Sequence, residues 1–451
     1  MVSHLSKWKN INGIQNNKEV ILRVQPRTNQ VTDGTFIDVS TDFIAVNWFT
    51  GGGGAVGIFQ TQNFITCDNN YPIIRGHTAP VTDLKFSPFN SSLLATSSED
   101  STVKLWTIPE GGLKEDMTTE TQVFNNHNKK ACLLNFNPCV KEVIASTGAD
   151  HSLFVWNISD SSVLSSIKLE EQAFSIEWDR VGSLISASTK NKKISIFDVR
   201  KNDGNALITS GHQSAKPQKS GFIDENYVYS VGNHAGGHRE CRLYDMRKFD
   251  APCVEQKIDT MTAVLTPYYD PDTKLMFFSG KGESTIIFAE ISEGTYKSAS
   301  SYHSNDQGIS TAFFPKRTMD YNSCELARCA KLTKDQIQYV SFKYPRRNSG
   351  YAEEFYPECI IGEPSMTLEE WQNGESKPLA RKKIHEIENK FKTEPMTFEK
   401  KVVEPKKSVN LESVLEENAV LKLKVTELEK KVAELEKQLQ EKSQENLAKL
   451  N

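Results

Sequence analysis

His77, Asp100 and Trp106 stand 23 and then 6 residues apart, and His127, Asp150 and Trp156 repeat both intervals 50 residues further on. A polar pair locked at fixed distance to a strand-borne Trp, recurring in series, fits the unit of about 40–45 residues that builds one four-stranded blade of a WD40-type β-propeller. A buried Trp leaves an indole N–H in need of an acceptor. A His–Asp pair with a nearby hydroxyl, Thr96 or Ser98 in the first copy, can supply that chain of partners. The expectation is a structural network that pins a tight turn to a strand, once per blade.

In that register, short β-branched and aromatic runs ending in an aromatic residue mark the third strand of each unit. Phe59, Trp106, Trp156, Phe197, Tyr244, Phe288 and Phe342 close such runs, at intervals of 47, 50, 41, 47, 44 and 54 residues. The fold expected is therefore all-β, with seven blades. Phe86-Ser87-Pro88 and Phe136-Asn137-Pro138 add a second repeat, with Pro presetting the turn after a first strand. Asn191 and Gly282 occupy the place of the Asp before Phe197 and Phe288. Blades four and six should then depend on apolar packing between sheets more than on the network, held by their neighbours in the ring.

At 451 residues, 37% hydrophobic and 25% charged, the chain has material for a large core and an appendage. No apolar run approaches the roughly 18 residues of a membrane span, and the N-terminus lacks a secretory apolar stretch, so a cytoplasmic location is expected. The eight cysteines (67, 132, 139, 241, 253, 324, 329 and 359) contain no Cys-x-x-Cys pair and read as free, half-buried thiols. A net charge of −4 gives no support to nucleic-acid binding.

The organisation expected is a propeller over residues 1–345, an extension over 346–375 packed on it, a flexible Lys-rich linker over 376–410 and a coiled coil over 411–451. Phe355, Tyr356, Ile360, Ile361 and Trp371 make the extension too apolar for a free linker. The prolines and lysines after it suit a tether. The cluster Arg381, Lys382, Lys383 reads as solvated, with membrane contact at most peripheral.

From Leu411 the apolar spacing changes to 3 and 4. Leu411, Asn418, Val425, Val432 and Leu439 take heptad position a, and Val414, Leu421, Leu428 and Leu435 take d. An isolated helix of this length is marginal in water, so the seam needs a partner. Lys424 and Lys431 at g face Glu429 and Glu436 at e of a parallel neighbour, and Asn418 fixes register. Parallel self-association follows, and Val at a with Leu at d favours two strands. The residues expected to carry it are Asn418, Leu421, Val425, Leu428, Val432, Leu435 and Leu439.

Enzymatic and metal readings find little support. Gly51 to Gly54 is followed by no Lys-Ser/Thr, and Lys281 lacks the upstream Gly of a phosphate loop, so both read as turns between strands. His234 and His238 have a spacing that suits a helix face, but the glycines between them argue for a loop. His77 and Asp100 with a hydroxyl resemble a hydrolytic triad only until the second copy is noticed. No catalytic residue, metal or cofactor is expected. Near the start of the chain Lys7, Lys9, Arg23 and Arg27 bunch together, with Trp8 as a possible apolar anchor for a partner, and such a patch would steer encounter with an acidic surface.

Strings between the blades carry a more specific likeness: SKWKN (6–10), IPEGGL (108–113), PYYDPDTKLMFFSGKGE (267–283), FFPKR (313–317), CELAR (324–328) and YPECIIGEPSMTLEEW (356–371). By these the chain resembles the coronins, regulators of actin filaments built from a propeller, an extension and a short coiled coil. The resemblance implies F-actin binding through one propeller face, with a basic residue near the N-terminus central to it. It also implies cytoskeletal and cortical location and contact of the coil with the actin-branching Arp complex. The family's N-terminal string usually reads Ser-Lys-aromatic-Arg-His, and here Lys9 takes the Arg place and Asn10 the His place. Lys keeps the charge and loses the planar fork. In the coil, Lys424-Val-Thr-Glu-Leu-Glu429 and Lys431-Val-Ala-Glu-Leu-Glu436 match a family string that marks trimers, with Lys for Arg, so dimer and trimer both stay open. The rival function is a non-cytoskeletal scaffold that gathers peptide partners on the ring.

Overall fold

The computed structural model describes residues 6–22, 33–50, 53–63, 66–67, 71–201, 204, 206–346, 351–387 and 431. Arg23 and Arg27 lie outside the described residues, as does the heptad segment apart from Lys431, which is helical and exposed.

Among the described residues seven sheets of four or five strands follow one another along the chain, antiparallel except where Ile21 and Leu22 run parallel to Thr66 and Cys67. Each of the seven aromatic marks falls on the third strand of its sheet, and all seven are buried. Blade two shows the pattern: Val81–Phe86, Leu93–Ser98, Val103–Thr107 and Gln122–Phe124. Its second strand is buried throughout, because both faces of a blade lie against neighbouring blades. Pro88 and Pro138 sit in the turns after first strands.

The core is a set of apolar layers between successive blades. One layer joins Val56 and Ile58 of blade one to Leu84, Leu94 and Trp106 of blade two, and the next joins Leu105 of blade two to Ile144 and Trp156 of blade three. The ring closes where Phe277 and Phe288 of blade six, Leu326 and Phe342 of blade seven and Ile44 and Phe59 of blade one share a single cluster. Covalent order does not close a ring, so the chain's start must. Asn12–Leu22 supplies the fourth strand of blade seven, pairing antiparallel with Gln336–Lys343 from Asn12 opposite Lys343 to Ile21 opposite Gln336.

Blade six is held by more than apolar packing. Arg239 of blade five, 1% exposed, forks onto Asp259 (Nε to Oδ1 2.7 Å) of its own blade and reaches Glu283 (2.7 Å) of blade six. The pairing crosses the interface that the missing Asp before Phe288 leaves without a network.

The extension lies across the ring face that carries the turns after the first strands. The Tyr356 hydroxyl donates to Glu325 O (2.8 Å), and the Ser365 N–H to Cys139 O (3.0 Å). The short helix Leu368–Gln372, closed by a capping box between Thr367 and Glu370, inserts Trp371 beside Trp178, where its indole donates to Gly182 O (2.5 Å). The packed segment does not stop at residue 375. Arg381–Lys382 pairs with Cys359–Ile360, Arg381 meets Asp272 (2.8 Å) and Ile384 is 4% exposed, so 376–387 is not a free tether and Arg381 is not merely solvated.

None of the eight cysteines is in a disulfide, and seven of them are buried outright instead of half-buried, with Cys253 exposed. No helix among the described residues is long and apolar enough to cross a membrane.

Candidate binding surface

The network of blade two has the geometry its spacing implies. The Trp106 indole donates to Thr96 Oγ1 (2.8 Å), which lies 2.8 Å from His77 Nε2, while His77 Nδ1 is 2.9 Å from Asp100 Oδ2. The hydroxyl can accept the indole proton and give its own to Nε2 only if Nδ1 holds the ring proton that points at Asp100. Burial works to raise the Asp100 carboxyl, but the hydrogen bond and charge of His77 and the donors of Thr102 outweigh it and hold the group well below the usual carboxylate range. Blade three repeats the arrangement with Ser146 as hydroxyl, 2.8 Å from both Trp156 Nε1 and His127 Nε2, and with Asp150 3.2 Å from His127 Nδ1. Thr96 and Ser146 are 0% exposed, so no substrate reaches either oxygen and the triads are structural.

Sequence spacing missed a third copy. In blade five His212 Nε2 is 2.8 Å from Ser230 Oγ and His212 Nδ1 is 2.9 Å from Glu240 Oε1, with Tyr244 in the Trp place. The longer Glu side chain and a changed interval hid it. The dipeptide Gly211-His212, which repeats Gly76-His77, was the available signal. Gly53 and Gly54 prove to be close-approach positions, where an added Cβ would strike the carbonyl oxygens of His77 and Ala79.

The N-terminal basic residues are displayed by a turn that the protein anchors in itself. Ser6 donates to Glu290 (2.8 Å), Lys9 N–H reaches Ser6 O (3.3 Å) and Ile11 N–H reaches Trp8 O (3.0 Å). Trp8 is 1% exposed, donates through Nε1 to Thr273 O (3.0 Å), and packs against Tyr344 and Phe355. It is therefore no anchor for a partner, as the sequence suggested, but the peg of its own turn. Lys7 and Lys9, to either side of the buried ring, are exposed.

The first strands line a central cavity of about 730 Å³, where Lys85, Glu177, Arg180, Lys219 and Tyr268 meet. Glu177 accepts from the Tyr229 hydroxyl (2.7 Å). Burial pushes its carboxyl up to about 7, against the opposing pull of Tyr229, Arg180 and Lys85. A carboxyl raised in the folded state contributes stability that is complete below its unfolded value near 4.5 and is lost as pH rises through about 7. Glu177→Gln should remove that dependence. The wild type's thermal midpoint, relative to the variant's, is expected to be higher at low pH than at high pH across this window, and parallel profiles would contradict the assignment.

Comparison with known proteins places the fold in a family. Residues 69–107 match the profile described as "WD domain, G-beta repeat", 337–379 match one described as "Type of WD40 repeat", and 2–65 match a domain of unknown function, DUF1899. The second match spans the end of blade seven and much of the extension, so it marks the junction and not a further blade. Coronin-A of Dictyostelium discoideum is 35% identical over 373 residues, 82% of this chain and 83% of its own length. The chain belongs to the coronin family. The crystal structure of the WD40 domain from Toxoplasma gondii coronin is 29% identical, with a TM-score of 0.79, over 84% of this chain and 98% of that one. A chain of the Mitotic Checkpoint Complex, 11% identical with a TM-score of 0.53 over 73% of this chain and 93% of its own, shares the fold alone.

Proposed function

We propose that this coronin binds actin filaments through its propeller and, joined through the C-terminal heptads into a parallel homo-oligomer, bundles or crosslinks them. The carrying observation is the N-terminal turn: Trp8 is sunk in the ring while Lys7 and Lys9 are exposed on a backbone held at both ends, in a chain of the coronin family. Cations carried on an anchored backbone set orientation and rate of encounter with an acidic surface more than raw affinity. Arg23 and Arg27 are proposed to extend the patch. Several such heads on one coil multiply weak contacts. The same reading assigns the protein to the cytoplasm, the cytoskeleton and the cell cortex, to a binding and not a catalytic role, and the coil to contact with the actin-branching Arp complex.

The variant Lys7→Glu/Lys9→Glu tests the patch. Both side chains are exposed, but the Lys7 ammonium lies 4.4 Å from the centroid of the Trp8 ring, so an unchanged circular dichroism spectrum is the control, while rim charges act mainly through steering. Filament co-sedimentation should weaken on the order of 10-fold at low ionic strength, with the gap to wild type closing as salt rises. Equal pelleting of both proteins at low salt would remove Lys7 and Lys9 from the contact.

A further inference from the structure

The turn that the glycines of His234-Ala-Gly-Gly-His238 suggested is a β-hairpin tip, and that geometry reverses the conclusion drawn from spacing. Tyr227–Asn233 and Arg239–Asp245 pair with Asn233 opposite Arg239, so His234 and His238 form the next pair outward, closed by a bond from His234 N–H to His238 O (2.8 Å). Side chains directly opposite on neighbouring strands stand on the same face with Cβ atoms about 5 Å apart. Gly237, at φ +83°, takes the left-handed conformation that the tight return needs. The two imidazoles stack with centroids 4.4 Å apart. Glu240, two residues beyond His238 and so on that same face, brings its Oε2 within 3.6 Å of His238 Nε2.

We propose that His234, His238 and Glu240 form a binding site for a divalent transition-metal ion of the Zn²⁺ class, with a fourth position open toward solvent. One ligand atom from each residue already lies within 4.8 Å of the other two. Zinc bonds of about 2.0–2.2 Å need ligand atoms roughly 3.3 Å apart, a closure that side-chain rotation supplies. Two imidazoles and one carboxylate suit this ion and not the oxygen-seeking Ca²⁺ or Mg²⁺.

The supporting groups are in place as well. Glu240 is 4% exposed, and its other oxygen, Oε1, is 2.9 Å from His212 Nδ1 and 2.9 Å from Arg242 Nε. Those partners hold the carboxylate with Oε2 turned to the histidines, the role outer contacts play in known metal sites. Gly236 N–H donates to His234 Nδ1 (2.9 Å), which orients that ring. Ligation through Nε2 moves the ring proton to Nδ1 and gives up this one bond. The network of blade five and the metal site would then share Glu240, one oxygen each. The tip residues Ala235 to Gly237 are exposed, so the open position is accessible to water or to a side chain of a partner.

Zinc titration of the full-length protein, stripped with chelator and read by competition with a chromophoric indicator, tests the site without reference to filaments. Wild type should take one Zn²⁺ per chain, and Co²⁺ in its place should give the visible bands of a four- or five-coordinate ion with no thiolate charge-transfer band. His234→Ala/His238→Ala should weaken binding beyond the roughly 10–100-fold that outer partners alone are worth. His238→Gln, which leaves Glu240 its His212 and Arg242 contacts, should fall by a similar factor with an unchanged circular dichroism spectrum. Absence of stoichiometric binding in wild type, or its survival in the double variant, would overturn the proposal.

Discussion

Deleting residues 411–451 should leave single-site binding to actin filaments and abolish bundling. In the proposed mode of binding, one propeller offers a filament a single weak set of contacts led by exposed cations. Linking two such heads makes the second attachment intramolecular, which raises overall avidity by roughly 10²–10⁴ without any new contact, provided the tether lets both heads engage. The a and d side chains from Leu411 to Leu439 are the only long apolar seam in the chain's last 75 residues. Each contributes roughly 1.5–3 kcal/mol only when a second helix covers it. Low-speed sedimentation, which pellets bundles and leaves single filaments behind, reads the outcome. Bundling by the truncated protein at wild-type concentration would show that the propeller carries two filament sites of its own.

Arg239→Met should cost about 3–5 kcal/mol, the range for removing one partner of a buried ion pair. Arg239 is 1% exposed and contacts Asp259 through two nitrogens and Glu283 through a third. Burial disfavours its charge, yet the hydrogen bonds and charges of Asp259 and Glu283 outweigh this and raise its pKa above the ordinary arginine value. Methionine fills much of the volume but leaves two carboxylates facing each other at the boundary of blades five and six, where repulsion and lost hydration add. Denaturant midpoints measure the loss. Adding Glu283→Gln to Arg239→Met should recover part of it, because one of the stranded charges is gone. A single variant within about 0.5 kcal/mol of wild type, the scale of an ordinary surface change, would mean that the interface rests on apolar contacts alone.

The blades were legible because each third strand carries near its end an aromatic residue buried against its neighbours, and that requirement recurs at intervals of 41 to 54 residues through Phe342. The first two His–Asp networks were legible for the same reason, since a fixed chain of partners fixes the intervals. Blade five escaped because Glu240 and Tyr244 perform the same task from altered positions, and a longer side chain frees the spacing. Trp8 was misread because an aromatic between lysines looks the same in sequence whether it faces a partner or the protein's own core. Only the pocket formed by Thr273, Tyr344 and Phe355, over 250 residues away, decides it. Residues 376–387 look like a tether by composition, yet backbone pairing with Cys359 and Ile360 leaves no mark in side-chain polarity. For His234 and His238, glycines that rule out a helix do not rule out a hairpin, and a hairpin is the better way to set two imidazoles side by side.

High-speed co-sedimentation of the full-length protein with polymerised actin, at two ionic strengths, tests whether this coronin binds filaments through a contact led by charge. Saturable pelleting with filaments, weakening as salt rises, is the expected result. Protein that stays in the supernatant at both salts, while the filaments pellet, would contradict it.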